Sequence, residues 1–473
     1  MPPKEPLLPA VTRRAEERDW RGDILRELAR LRAQNRLVLP PNLARVNKAA
    51  RRNKRTRFTA LLHHVNVESL GRAFRRMKRS ASAGVDGETV ETYKQNLEGN
   101  LKDLCARIHQ GRYRPLPVRR AYIPKSDGGQ RPLGIPALED KIAQRAVAEV
   151  LEAIYEEDFA NFSYGFRPGR NPRMALTSLR EALMRGKINW VLDADIQKFF
   201  DSVDHEEMMR MLAERIADNR VLRLIRRWLK AGVLEHGEWR ETDEGTPQGS
   251  CISPLLANLF LHHALDLWAQ HWRSTQTRGQ VIIVRYADDF VMGFQYEDDG
   301  RRFLEELKAR LAKFSLKLHE DKTRLIEFGR FAESSRRKKG LGRPETFAFL
   351  GFTHYCAKTR DGWITVKTKT EGKRLVRKLK ALRLEAQQRR HDPLAQQRDW
   401  LASVLRGHYA YYGLPGNIRA LNGFYFMAVR LWLQSLRRRS QRHHMTWSRL
   451  SKMLHVFPLP RPCITLTRKD LAA

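Results

Sequence analysis

Two adjacent aspartates, Asp288 and Asp289, stand between two short apolar runs, Val281–Tyr286 and residues 290–294. Both runs are β-branched or aromatic and too short for a helix, which predicts two strands. Successive side chains on a strand point to opposite faces, so a carboxylate pair fits best where the chain reverses. The prediction is a tight hairpin with Tyr286-Ala287-Asp288-Asp289 at its turn, where both carboxylates can approach one site. Such pairs also occur in purely structural turns, so a second acidic element is needed before chemistry can be assigned.

Asp193-Ala194-Asp195 supplies it, at the end of the apolar strand candidate Trp190–Ala194 and ahead of Ile196 and Phe199-Phe200-Asp201. A carboxylate at the end of a buried strand is costly unless it is paired or ligated. Asp193 and Asp195 share a strand face, so only one of them needs to reach a metal. A third carboxylate from a neighbouring strand completes an oxygen-only site with Asp288 and Asp289. That donor set suits Mg²⁺, which keeps waters and substrate phosphates as its other ligands. Two ions so held can activate a primer 3′-hydroxyl and stabilise a pyrophosphate leaving group, with Mn²⁺ a possible substitute. Two loops complete the constellation. Gly245-Thr246-Pro247-Gln248-Gly249-Ser250 opens a helix, and Asp127-Gly128-Gly129 reads as a turn presenting Lys125 and Arg131 on two strands. Two cations so placed can clamp a triphosphate, although an exposed hairpin with incidental charges has the same appearance.

The charge balance agrees. Lys and Arg number 89 against 53 Asp and Glu, a formal net charge of +36. That excess calls for a polyanion, and nucleic acid is the usual one. A membrane surface would demand an amphipathic or lipidated anchor, and neither is evident. Residues 1–80 carry 21 basic and 7 acidic side chains, and residues 371–473 carry 21 and 5, so the middle of the chain is close to balanced. Polyanion contacts are therefore expected toward the two ends. Four scattered cysteines without a CxxC pair exclude a Cys-rich zinc module and a disulfide framework, which points to a reducing interior. No signal core and no run of about 18 apolar residues is present.

Along the chain, residues 1–20 read as disordered and 21–36 as a helix ended by Pro40-Pro41. The basic run Arg51, Arg52, Lys54, Arg55 and Arg57 is either a solvated helix face or an RNA-contacting arm. From 58 to 356 helical patterns (139–155, 205–230, 301–314) mix with the strand candidates, and 334–342 reads as a turn or loop. Beyond 370 the pattern is helical: 371–390, 396–412, 418–440 and 446–453. An α+β body followed by a basic helical unit is expected.

The order of these motifs resembles the reverse transcriptases of bacterial group II introns, the intron maturases, in their endonuclease-lacking type. The matching pieces are Ser82-Ala83-Gly84-Val85-Asp86-Gly87, the Lys125/Arg131 hairpin, and Ser163-Tyr164-Gly165-Phe166-Arg167-Pro168-Gly169. Asp195-Ile196, Phe199-Phe200-Asp201, Pro247-Gln248-Gly249, Tyr286-Ala287-Asp288-Asp289, the Lys322 segment and Phe349-Leu350-Gly351-Phe352 follow. The resemblance covers roughly residues 58 to 455. It implies a right-hand polymerase: a basic extension over 1–57, fingers and palm with an antiparallel palm sheet over 58–360, a helical thumb/maturase domain over 361–455, and a tail over 456–473. It further implies that Asp195, Asp288 and Asp289 ligate two Mg²⁺ ions with help from the Ile196 carbonyl. Lys125 and Arg131 would hold the incoming dNTP, Phe200 would reject a 2′-hydroxyl, Gln248 would line the pocket, and Lys322 would support the site from behind.

Gly407-His408-Tyr409-Ala410-Tyr411-Tyr412-Gly413 resembles the start of the maturase region, and Arg437-Arg438-Arg439 further on suits phosphate contact with structured RNA. The implied partners are intron RNA, an RNA template/DNA primer duplex, dNTPs and target DNA, with no membrane. The implied setting is the bacterial cytoplasm, nucleoid-associated through nucleic acid. The chain reaches Ala473 without the cysteine-paired endonuclease module of many relatives. Two other readings are a related enzyme released from its intron for repair or defence, and a non-catalytic RNA-binding splicing factor. The intact Asp triad with Lys125, Arg131 and Gln248 argues against the latter.

Overall fold

The computed structural model describes residues 39–124, 129–235, 238–240, 244–246, 249–359, 362–439 and 445–465. The helix expected over 21–36, Lys125 and Gln248 fall outside them. In chain order the strands are β1 (Val118–Pro124), β2 (Gln130–Ile135), β3 (Trp190–Ala194), β4 (Val233–Glu235), β5 (Glu238–Arg240), β6 (Val281–Tyr286), β7 (Asp289–Phe294), β8 (Arg324–Glu327), β9 (Phe347–Phe349), β10 (Phe352–Lys358) and β11 (Ile364–Thr370). They form three sheets, ordered β2-β1-β4-β5, β6-β7-β3-β8 and β11-β10-β9. Pairing in the second and third is antiparallel throughout, whereas β1 and β4 run parallel in the first.

The β6-β7-β3-β8 sheet is buried on both faces, which is why its strands read as nearly continuous apolar runs. Val281, Ile283, Phe290, Met292, Leu192 and Ala194 face one core, shared with helices Leu138–Tyr155, Ser253–Leu261 and Glu297–Ala312. Ile282, Val284, Val291, Val191 and Ile326 face a second core. It is built with helix Pro172–Arg185, strands β9–β11 and the C-terminal helices Gly372–Gln388, Leu394–Tyr412, Ile418–Arg437 and Trp447–Val456. The period-two alternation along β6 and β7 thus distributes side chains between two cores rather than between core and water.

Two elements differ from the sequence reading. The 205–230 stretch is two helices, His205–Ala213 and Asn219–Leu229. Asp218 makes the break: its carboxylate accepts the Arg220 N–H at the second helix start and the Leu61 and Leu62 N–H groups at 2.8 and 3.0 Å. A cap is incompatible with a continuous helix. Residues 334–342 do not form a loop throughout, because Ala332–Lys338 is helical, anchored by buried Ala332 and by Arg336 donating to the Gly342 carbonyl at 3.0 Å. Helix Pro41–Arg52, about which the sequence reading makes no statement, buries Leu43, Val46 and Ala50 in the first core.

Candidate active site

In the β3–β7 register, Asp193 lies opposite Val291 and Ala194 opposite Phe290, and continuing by one residue sets Asp195 beside Asp289. Tyr286 pairs with Asp289 across β6 and β7, leaving Ala287 and Asp288 as a two-residue turn. Ala287 takes φ +57°, a left-handed conformation that a residue with a Cβ adopts at a cost. Gly165 shows what holds it there: a Cβ on Gly165 would stand 2.2 Å from the Ala287 nitrogen. The Tyr164 N–H donates to the Arg285 carbonyl, and the Arg285 N–H donates to the Phe162 carbonyl, both at 2.8 Å. The Ser163–Gly169 stretch therefore packs backbone against backbone on the aspartate hairpin.

Asp195 is anchored by its carbonyl, which accepts the His319 N–H at 2.8 Å, and its carboxylate is met by Lys322 Nζ at 2.7 Å. Lys322 thus reaches the acidic cluster itself. Asp193 points toward Arg324 at 3.9 Å. Burial, opposed by Arg324 and aided by Asp195, pushes the Asp193 carboxyl up to about 6. Burial raises Asp288 as well, with Asp195 adding to the effect and Arg131 and Arg285 opposing it. Asp289 is raised to about 7 by desolvation, then by the Asp288 and Asp195 charges, against Arg374. Asp289 is exposed to solvent, so water tempers both effects; the direction follows from burial and from like charges converging.

The remaining expected positions divide. Arg131, on β2 opposite Ile123, is exposed and close enough to act on Asp288. Phe200 is half-buried in the short turn Phe199–Asp201, and its carbonyl accepts the Thr246 N–H at 2.7 Å. Gly249, at φ +119°, comes so near β2 that a Cβ there would lie 2.7 Å from the Gly134 carbonyl oxygen. Ile196 is buried and bridges to Leu318. Of the basic residues toward the N-terminus, Arg51 is paired with Glu157 at 2.9 Å, while Arg52, Lys54, Arg55 and Arg57 are exposed. Arg437, Arg438 and Arg439 are exposed at the end of helix Ile418–Arg437.

Sequence reasoning passed over Arg285, a charge inside an apolar strand run. Its guanidinium is wholly buried and donates to both carboxylate oxygens of Asp266, at 2.7 and 2.5 Å. Burial would raise Asp266, but the charge and hydrogen bonds of Arg285, with His262 close by, outweigh it and hold the carboxyl low.

Among the described residues no three His, Cys, Asp or Glu side chains are gathered closely enough to hold a metal ion on their own. The fit is instead to an open site: oxygen-only donors at adjacent strand ends, the Asp288 and Asp289 carboxyls raised by burial and then by like charge, and a lysine ammonium on Asp195. A hard divalent cation relieves that repulsion and draws its other ligands from water and substrate phosphates.

Residues 123–354 match the family described as reverse transcriptase (RNA-dependent DNA polymerase). Protein YkfC of Escherichia coli K12 is 37% identical over 284 residues, 52% of this chain and 73% of that protein. The group II intron-encoded protein LtrA of Lactococcus lactis subsp. cremoris is 36% identical over 222 residues, 46% of this chain but 37% of LtrA. An uncharacterized 91 kDa protein in the cob intron of Schizosaccharomyces pombe is 37% identical over 206 residues, 43% of this chain and 25% of its own length. The chain belongs to the reverse transcriptase family, the RNA-directed DNA polymerases. Within that family it stands with the group II intron reverse transcriptases and maturases. Enzymes of this family use divalent metal ions and act on nucleic acid. No helix among the described residues is long and apolar enough to cross a membrane.

Proposed function

We propose that the chain copies RNA into DNA at the cleft formed by Asp195, Asp288 and Asp289, using two Mg²⁺ ions. The observation that carries this reading is the β3–β7 register, which sets the end of one strand beside the aspartate turn of its neighbour. Bound there, the ions would activate the primer 3′-hydroxyl and neutralise charge on the departing pyrophosphate, and Mn²⁺ could replace them. The three carboxylates, with the Ile196 carbonyl, hold the ions. Lys125 and Arg131 grip the triphosphate from the β1–β2 hairpin, and Gln248 lines the nucleotide pocket. Phe200 lies under the sugar and excludes a 2′-hydroxyl by bulk, its ring carried on a turn fastened by Thr246. Lys322, already on Asp195, keeps that carboxylate oriented until a cation takes the charge.

In this reading the sheets β2-β1-β4-β5 and β6-β7-β3-β8 are fingers and palm, and the helices beyond 370 are the thumb and maturase domain. The chain binds its intron RNA to assist splicing and then copies it during retrohoming at a target DNA, in the bacterial cytoplasm. Arg51, Arg52, Lys54, Arg55, Arg57 and Arg437, Arg438, Arg439 are the RNA contacts, with Arg51 divided between RNA and Glu157. Primer extension on poly(rA)/oligo(dT) with Mg²⁺ tests the core of this proposal. Wild type should extend and Asp288→Ala should not. A folded wild type that binds RNA but extends nothing in any divalent metal would leave an RNA-binding splicing factor as the remaining reading.

A further inference from the structure

We propose that Arg285 is a positioning residue for the catalytic turn, acting through the Ala287 carbonyl to aim Asp288 and Asp289. This rests on the reading that those aspartates hold the metal ions. Arg285 lies on the face of β6 that carries Val281 and Ile283, so its side chain enters the first core rather than the cleft. A buried ion pair is not by itself a gain in stability, since well-packed apolar residues serve as well or better. What apolar residues cannot supply is a rigid fork of directed donors.

The fork is almost fully used. Nε and Nη2 donate to Asp266 at 2.7 and 2.5 Å, while Nη1 donates to Asn258 Oδ1 at 3.1 Å and to the Ala287 carbonyl at 2.9 Å. That carbonyl belongs to the peptide between Ala287 and Asp288, so the bond fixes a plane from which the first aspartate departs. Asn258 passes the constraint on, its Nδ2 donating to the Gly165 carbonyl at 2.7 Å. Gly165 in turn lies so close to Ala287 that a Cβ on it would meet the Ala287 nitrogen. The left-handed Ala287 is thus held from two sides by one network.

Asp266, the fixed end, sits where helix Ser253–Leu261 widens into a π turn over His262–Asp266 before continuing as Leu267–Thr275. Such single wide turns shift the side chains that follow and recur at functional sites. Asp266 is 1% exposed and His262 lies 3.8 Å from it. The aspartate hairpin is therefore referenced to a helix on the core side of the sheet, and a loosened fork would let the turn drift while the fold persists.

The test uses the full chain with Arg285→Lys, which keeps the charge and loses the fork. Melting temperature, affinity for an RNA/DNA duplex, single-turnover extension and Mn²⁺ binding by electron paramagnetic resonance are measured together. The expected result is a folded protein with wild-type duplex affinity whose extension rate and Mn²⁺ affinity each fall about 10- to 100-fold. A merely structural role would lower the melting temperature and leave rate per folded site and Mn²⁺ affinity unchanged, and that result overturns the proposal. If Arg285→Lys does not fold, Asn258→Ala removes one partner and leaves the Asp266 pair; it should weaken Mn²⁺ binding, and wild-type binding overturns the proposal equally. Failure of wild type itself to bind Mn²⁺ through Asp288, judged against Asp288→Ala, instead refutes the underlying metal-site reading.

Discussion

Replacing Asp289 by Asn should remove activity and, without metal, make the protein more stable. In the folded chain the Asp289 carboxyl is pushed up to about 7 by desolvation and by Asp288 and Asp195, against an ordinary value near 4. Between those values the folded state holds a proton that the unfolded state has released. The contribution of this group to stability therefore falls as pH rises from about 4 to about 7, and the full penalty stands above 7. Taken at face value that penalty is on the order of 4 kcal/mol. Asp289 opens to solvent, so screening reduces it to about 1–2 kcal/mol. For a protein of this size that is worth about 1–2 °C in melting temperature. The assay is thermal unfolding in EDTA near pH 8 and near pH 5. Asp289→Asn should melt above wild type at the higher pH, and the advantage should shrink toward zero at the lower. Excess Mg²⁺ at the higher pH should raise wild type more than the variant, because the ions bind the folded site. A variant that melts at or below wild type near pH 8 in EDTA would refute the argument that crowded carboxylates carry stored repulsion.

Three further outcomes are expected. Phe200→Val should raise rNTP incorporation relative to dNTP by about 10- to 100-fold, the worth of apolar bulk in a pocket, as read by primer extension with rUTP and dTTP. Gly165→Ala should cost about 2–4 kcal/mol of stability and most of the activity, since its Cβ has no room beside the Ala287 backbone; melting and extension measure both. Replacing Arg52, Arg55 and Arg57 together by Ala should reduce the slope of log affinity for RNA against log salt by about 2–3, with no change in extension on a saturating short duplex.

The aspartate hairpin and its neighbour strand were legible because a two-residue period between apolar runs leaves few alternatives for a carboxylate pair. Burial of the sheet on both faces made β6 and β7 stand out, each as an apolar run of strand length. The support beneath the turn was not legible. Arg285 and Asp266 are 19 residues apart on different elements, and nothing in the apolar run Val281–Tyr286 indicates which way its one charge points. The break between His205–Ala213 and Asn219–Leu229 was missed for a related reason: Asp218 caps one helix while receiving Leu61 and Leu62 from far upstream. The helix Ala332–Lys338 carries too little apolar surface to show a helical period, and one buried alanine with the Arg336–Gly342 hydrogen bond anchors it.

The two-faced burial of the β6-β7-β3-β8 sheet also bears on how the chain is made. Helix Pro172–Arg185 covers part of one face early. The rest of that covering, including Phe347, Phe352, Leu382, Leu401 and Trp432, is encoded downstream of the aspartates. A chain emerging from the ribosome therefore displays the aspartate hairpin before the face behind it is fully covered, and those strands stay adhesive until the last helices arrive. Closure of that face is then a late event in synthesis, and a fragment ending near residue 360 is expected to aggregate, because the helices that complete the second core would be missing.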